Sequence, residues 1–389
     1  MSTTSETTSH LASEAPPAAG PQNAGAAAAA ALRLRRLFAI TVFAALLGLG
    51  ITLSFGYADH NPQPHGVRIA VAATPAVRAH LAAGLQRAQP GAFDIVAVGS
   101  PHAATRSVRS QSTAGALIVP ASGPTTVVTA GAEGLNQKLA LTKALTAASS
   151  AIHRPAEPAD VAPLAAGDSS GLSSFVFGLG LLIPSVIGSV GIFLLGRGLR
   201  LWWRVAAGIL FALLAAGGVV LATDTILGAL TGSGAALLGI AFLGALSFVL
   251  FIAALQSVVG LPGTLLAAIA FVFVGNAISG GSVPIGFLPG GFRQVAPWLP
   301  NNAIVRGVRD VVYFNGHDLG HPLLVLALWP TVALVILLAV DLLHASERRR
   351  APHLAEDIYS TPAIVHAARR LRTGRPLSRT ASGSASSTA

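Results

Sequence analysis

Five apolar segments, at 172–195, 205–222, 235–255, 258–278 and 323–343, constrain this chain more than anything else in it. Crossing about 30 Å of hydrocarbon takes about 20 helical residues with almost no charge. Each segment meets that length, some with help from flanking apolar positions. A sixth, 37–57, follows Arg33, Arg35 and Arg36, which predicts a helix whose N-terminal end stays in the cytoplasm. Its apolar run is too long, and starts too late, for a cleaved signal peptide, so the expectation is an uncleaved anchor. Composition agrees. Of 389 residues, 52% are hydrophobic and 10% charged, with a mean hydropathy of +0.66, beyond what a soluble domain of this size carries.

The formal charge of +10 takes its meaning from where it sits. Arg197, Arg200 and Arg204 separate the second and third spans, and Arg348, Arg349 and Arg350 follow the last. Arginines at span ends mark cytoplasmic loops. Six spans then place both termini inside and residues 59–171 outside. The loop around 256–263 is uncharged and neutral toward this scheme. Nucleic acid is excluded as a partner because no basic patch with interleaved aromatics occurs. With no cysteine, neither a disulfide framework nor a thiolate metal site can form. Residues 1–31, rich in Ser, Thr, Ala and Pro, predict a disordered cytoplasmic tail, and 344–389, basic and Ser-rich toward the end, predict another.

Between the first two spans the pattern changes to short β-like runs alternating with helical ones. Strands are expected at 67–72, 93–98, 116–119 and 125–129, and helices at 75–88, 101–110 and 133–152, the last with Leu135, Leu139, Leu145 and Ile152 as a rough apolar stripe. That alternation predicts a small α/β domain with a partly parallel sheet, able to fold on its own. Pro155, Pro158 and Pro163 read as an extended linker back to the membrane. The fold class is thus a polytopic α-helical membrane protein: six transmembrane helices, with a small extracytoplasmic α/β domain between the first and second.

One stretch, 276–313, is apolar yet cannot span. Gly280, Gly281, Pro284, Pro289, Gly290, Gly291, Pro297 and Pro300 would break a membrane helix. Repeated turning at the interface is expected, with Phe287, Phe292 and Trp298 as interfacial aromatics. From Asn301 the pattern is helical; Asn301 or Asn302 can cap, and Ile304, Val308, Val311 and Val312 lie opposite Arg306, Arg309 and Asp310.

Ser279-Gly280-Gly281, Pro284, Leu288-Pro289, Phe292, Pro297-Trp298-Leu299-Pro300 and Arg309, in that order and spacing, resemble the signature of the YhgE/Pip family of ABC-2-type membrane proteins. The resemblance covers about a tenth of the chain. It implies a five-helix ABC-2-like membrane domain over 172–343, with a re-entrant segment at 279–313 that shapes an external gate in a bacterial plasma membrane. Onto this chain it carries a gate role for Gly280, Gly281, Pro284, Pro289, Pro297, Trp298 and Pro300, with Arg306 and Arg309 near the outer headgroups. The external segment lacks the long coiled-coil insertion of many relatives, which favours a compact permease-like body over a phage receptor.

No engine for transport is present in this sequence. A phosphate-cradling loop needs Gly-x-x-x-x-Gly-Lys-Ser/Thr, and the two lysines, Lys138 and Lys143, sit in a helix without that pattern. ATP-driven transport would require a separate nucleotide-binding ATPase subunit. His60 with His65, and His317 with His321, have spacings compatible with metal binding, but loops do not fix ligand geometry and no carboxylate cluster accompanies them. No metal, cofactor or catalytic residue is therefore assigned, and nothing argues for an enzyme. Asp341, near the cytoplasmic end of the last span, either snorkels or pairs with an Arg of the cytoplasmic loop. Small residues on the spans, among them Ser185, Gly188, Gly191, Gly217, Gly218 and Gly239, suit close helix packing or a homodimer, and equally suit ordinary membrane composition. Two functions stand side by side: an export permease for an amphipathic or hydrophobic substrate, and a non-transporting surface receptor or secretion scaffold.

Overall fold

The computed structural model describes residues 30–35, 37, 38, 41, 42, 45, 48–50, 52, 53 and 63–359. Two compact units are distinguished, 1–57 and 58–389. In the first, every described residue is helical. About half of the expected first span at 37–57 lies outside the described residues, as do most of the N-terminal tail and residues 360–389.

The second unit begins with a five-stranded sheet. Strands β1 (Val67–Ala72), β2 (Phe93–Ala97), β3 (Gly115–Ile118), β4 (Thr125–Thr129) and β5 (Ala156–Asp160) lie in the order β2-β1-β3-β4-β5. All pairings are parallel except β3 with β4, so the sheet is mixed. Helix α1 (Pro75–Ala88) starts on a proline, whose missing N–H costs nothing in the first turn. Helix α2 (Pro101–Arg109) is capped by Ser100, whose Oγ accepts from the Ala103 amide at 3.1 Å. The alternation of strand side chains sends Ile69, Val71, Leu117 and Val127 toward α1 and α3 (Leu135–Ala151), and Ala70, Ala72, Ala116 and Val128 toward Ala104 and Val108 of α2.

Two local expectations change. The face of α3 that meets the sheet passes through Gln137, Leu141, Leu145 and Ser149, while Leu135 and Leu139 are exposed. The proline-rich linker contains β5, which pairs with β4 over its whole length. An edge strand tolerates Pro158 because its missing N–H can face away from the partner.

Among the described residues four helices are long and apolar enough to cross a membrane: α4 (Ser173–Leu195), α5 (Leu201–Val220, continued in wide turns to Ile226), α6 (Gly234–Val259), and the Gly320–Ser346 part of the last helix. Helix α6 is the hub, with 56% of its apolar window buried against 17–28% for the other three. Its Ile240, Ala241, Ala245 and Phe248 pack with Phe177, Leu181, Ala212 and Val325 in one core. Outward-facing Ile187, Leu195, Leu214 and Leu342 remain exposed, the surface that lipid covers in a membrane-embedded bundle.

The segment 258–278 departs from the expected full span. Helix α6 runs on to Val259, Gly260 turns the chain at φ +74°, and α7 (Pro262–Ala268) continues through wide turns at Ile269–Gly275. Pro262–Gly275 rises about 21 Å at 1.5 Å per residue, short of the hydrocarbon thickness. Its start is fastened to α6, because a Cβ on Gly263 would stand 2.5 Å from the Leu255 carbonyl group, and Gln256 Nε2 donates to Thr264 Oγ1 at 2.9 Å.

After α7 the chain turns through Ile285–Phe287, α8 (Gly290–Val295) and Ala296–Trp298 before α9 (Pro300–Tyr313). The last helix, α10 (Gly320–Tyr359), is 40 residues long, so 344–359, expected as the start of a disordered tail, continues it.

The α/β layer does not close its own core. The cluster beneath α1 and α3 includes Ala277, Ile278, Val283, Phe287, Leu288 and Ala296, and Phe314 packs with the α2 side of the sheet. Backbone bonds reinforce the join: His65 N–H donates to the Gly286 carbonyl at 2.9 Å.

Candidate functional site

The stretch 279–300 is shaped by close approaches that only glycine permits. Gly280 sits at φ +81°. A Cβ on Gly281 would drive into Phe175, 2.7 Å from its Cβ. These two positions expose backbone carbonyls that a side chain from α9 collects.

That side chain is Arg309, 5% exposed. Its Nε donates to Ser174 Oγ at 3.1 Å, Nη1 to the carbonyls of Glu133 at 3.2 Å and Gly280 at 2.8 Å, and Nη2 to those of Gly171 at 3.5 Å and Gly281 at 3.1 Å. All five guanidinium N–H groups are thereby used. Burial depresses the Arg309 pKa, partly offset by the charges of Glu133 and Asp168. The expectation that Arg309 lies on a polar face beside headgroups is corrected here: α9 is buried on nearly every side, and the guanidinium is occupied by protein carbonyls.

The neighbouring groups extend this junction. Asp168, 4% exposed, accepts from Ser173 N–H at 3.0 Å and Oγ at 2.7 Å, fixing the start of α4, and from Tyr313 OH at 3.4 Å. Burial raises the Tyr313 pKa. Asp310, 1% exposed, accepts from the Asp318 amide at 2.9 Å, and burial raises its carboxyl pKa. Arg306 pairs with Asp318.

Neither asparagine caps α9. Leu299 precedes its first turn, and both side chains are buried within it: Asn301 Nδ2 donates to the Phe271 carbonyl at 3.1 Å, and Asn302 Nδ2 to that of Ser279 at 2.7 Å. Phe271 lies in the wide turns of α7, where the ordinary helical acceptor pattern is broken.

Between the sheet and this stretch lies a cleft of about 310 Å³. Gly280, Pro284, Pro297, Arg306 and Arg309 line it together with Arg68, Gln111, Glu133, Gln137 and Asn302. Gly281, Pro289, Trp298 and Pro300 do not. Trp298 is half exposed, its carbonyl accepting from Trp329 Nε1 at 2.8 Å and its ring edge-on to His321. Phe287, expected as an interfacial aromatic, is buried under the sheet. Burial raises the Glu133 carboxyl pKa, against the pull of Arg309 and Arg306. The Asn302 Oδ1 is buried without a partner among the described residues. Arg68, Glu133 and Gln137 were passed over in the sequence because they lie far along the chain from the 279–309 motif, and Asn302 was read only as a cap.

The cleft offers cationic, acidic and amide groups for holding a polar group. No cluster of three metal-ligating His, Asp or Glu side chains occurs among the described residues. His317 Nδ1 donates to the Phe314 carbonyl at 2.7 Å. Of the small residues on the spans, Gly188 faces the Phe211 ring closely enough that a Cβ would stand 2.7 Å from it, while Gly191, Gly217, Gly218 and Gly239 face open space. Asp341 is exposed and lines a recess with Arg200.

These features define a helical, membrane-embedded protein with a mixed α/β sheet built onto its bundle. No protein-family model matches the chain, and no curated protein matches it.

Proposed function

We propose that this chain is an ABC-2-type, permease-like membrane protein, an export component for an amphipathic or hydrophobic substrate that works with a separate ATPase. Its topology on this reading is six spans with both termini cytoplasmic, the first at 37–57 and the fifth made by the short helix Pro262–Gly275 with its flanking turns beside the four long helices, and residues 59–171 outside. One observation carries this reading: the backbone at 279–300 is irregular and forms one wall of a polar cleft. Irregular backbone beside a membrane persists where protein or water satisfies it, which suits a gate.

A second reading, a receptor or secretion scaffold, is favoured by Arg309. A guanidinium with every donor engaged makes 279–309 a rigid junction.

A tether separates the two. A Cβ on Gly286 would stand 3.0 Å from Val67 Cγ2, so Val67→Cys with Gly286→Cys in this cysteine-free chain can be joined across the contact. Cells overproducing the chain, loaded with a fluorescent amphiphile, are expected to clear it faster than cells lacking the chain, to stop on oxidation, and to recover on reduction. Clearance no faster than in cells lacking the chain removes the transport reading. Clearance indifferent to a verified tether removes the gate. Impermeant thiol reagent should label Ser122→Cys and spare Ser346→Cys; the reverse pattern, or labelling of both, overturns the topology.

A further inference from the structure

A second recess, about 510 Å³, lies between α1 and α3 on the sheet face away from α2. Its size falls within the range of about 300–1,000 Å³ for small-molecule sites. The recess exists because both helices present small residues there. Gly84 and Ala88 on α1 face Ala140, Ala144, Ala147, Ala148 and Ala151 on α3, and a Cβ built on Gly84 meets nothing within 4 Å. Leu81, Leu85 and Phe93 supply an apolar lining, with Phe287 from the cleft-forming stretch.

The charged lining is of one sign. Arg87 and Lys143 border the recess beside His80, and no Asp or Glu does among the described residues. Arg87 donates through Nε to the Ala83 carbonyl of its own helix, and the Lys143 ammonium has no partner among the described residues. An apolar trough with two cations at its border is complementary to an apolar tail ending in an anion.

We propose that this groove binds a single acyl chain, with its anionic head group held by Arg87, Lys143 and His80. As a statement of substrate class it rests on the permease reading; as a binding site it does not. Phe287 touches the groove, and its neighbours Ile285 and Gly286 line the polar cleft, so an occupant contacts the segment proposed to move.

The test uses the full chain in nanodiscs and a photoreactive fatty acid, with labelled peptides read by mass spectrometry. Label is expected in α1 and α3, displaced by alkanoates that compete about fourfold more tightly per added methylene until the groove is full. Alkyltrimethylammonium of equal length should not displace it. Gly84→Leu, at a position where a Cβ meets nothing within 4 Å, projects into the groove and should sharply reduce labelling while leaving the melting temperature unchanged or raised. Arg87→Glu with Lys143→Glu should weaken alkanoate competition at least tenfold. Label confined to α4–α10, label that survives Gly84→Leu, or equal displacement by the cationic amphiphile would each overturn the proposal. Specific labelling in a chain that clears no amphiphile from cells keeps the site and removes only its assignment to transport.

Discussion

Arg309 Nη1 donates to the Gly280 carbonyl at 2.8 Å, joining the middle of a buried helix to a backbone that only glycine can shape. The same guanidinium reaches Ser174 at the start of a span and Glu133 beside the sheet. Removing it would leave four carbonyls and a hydroxyl short of a donor. Arg309→Gln should destabilise the protein by about 3–5 kcal/mol, and Arg309→Lys by a comparable amount, since one ammonium cannot reproduce a planar five-donor fork. Thermal unfolding of the purified chain checks this; a shift no larger than that of Arg197→Gln at an exposed loop would remove the junction role.

Glu133 gives the protein a pH dependence of known sign. Its folded carboxyl pKa is raised, so the folded state holds the proton more tightly than the unfolded chain. Stability is therefore full below the ordinary glutamate range and declines as pH rises through the raised value. Glu133→Gln should flatten that decline. An unchanged slope in unfolding measured between pH 4 and 8, about the range of interest, would assign the dependence elsewhere, Asp310 being the next candidate.

Glycine substitutions separate packing from mere composition. Gly281→Ala must displace Phe175 and should cost about 1–3 kcal/mol. Gly218→Ala meets nothing within 4 Å and should be neutral or stabilising by up to about 1 kcal/mol. Equal melting temperatures for the two variants would contradict the close approach.

The sequence pattern of the α/β layer suggests an independent domain, and the shared core argues otherwise. A fragment of residues 63–168 loses Ile278, Val283, Phe287 and Leu288 from beneath its sheet. It should bind a hydrophobic dye and melt without a sharp transition, whereas the full chain melts cooperatively. A soluble, dye-silent fragment with a sharp transition would show the join to be superficial.

What could be read in advance followed from local periodicity. Val67–Ala72 and Pro75–Ala88 carry their patterns within themselves, and their boundaries match. Strand β5 was hidden because Pro158, Glu157 and Asp160 describe a linker equally well; only β4 as a neighbour makes them a strand. Arg309 was assigned to a polar face because helical period counts side chains and cannot see that Gly280 and Gly281 bring carbonyls to it. Gly280, Pro284, Pro297, Arg306 and Arg309 were found from one contiguous motif, while Arg68 and Glu133 needed the fold to bring them close.

The length of α10 sets a distance. Along the helix axis, Tyr359 lies about 20 Å beyond Ser346, where the apolar part ends. At physiological salt that is more than two screening lengths of about 8 Å. A charge brought to the far end of that helix, by a bound partner for example, would therefore act only weakly on the end of the apolar part.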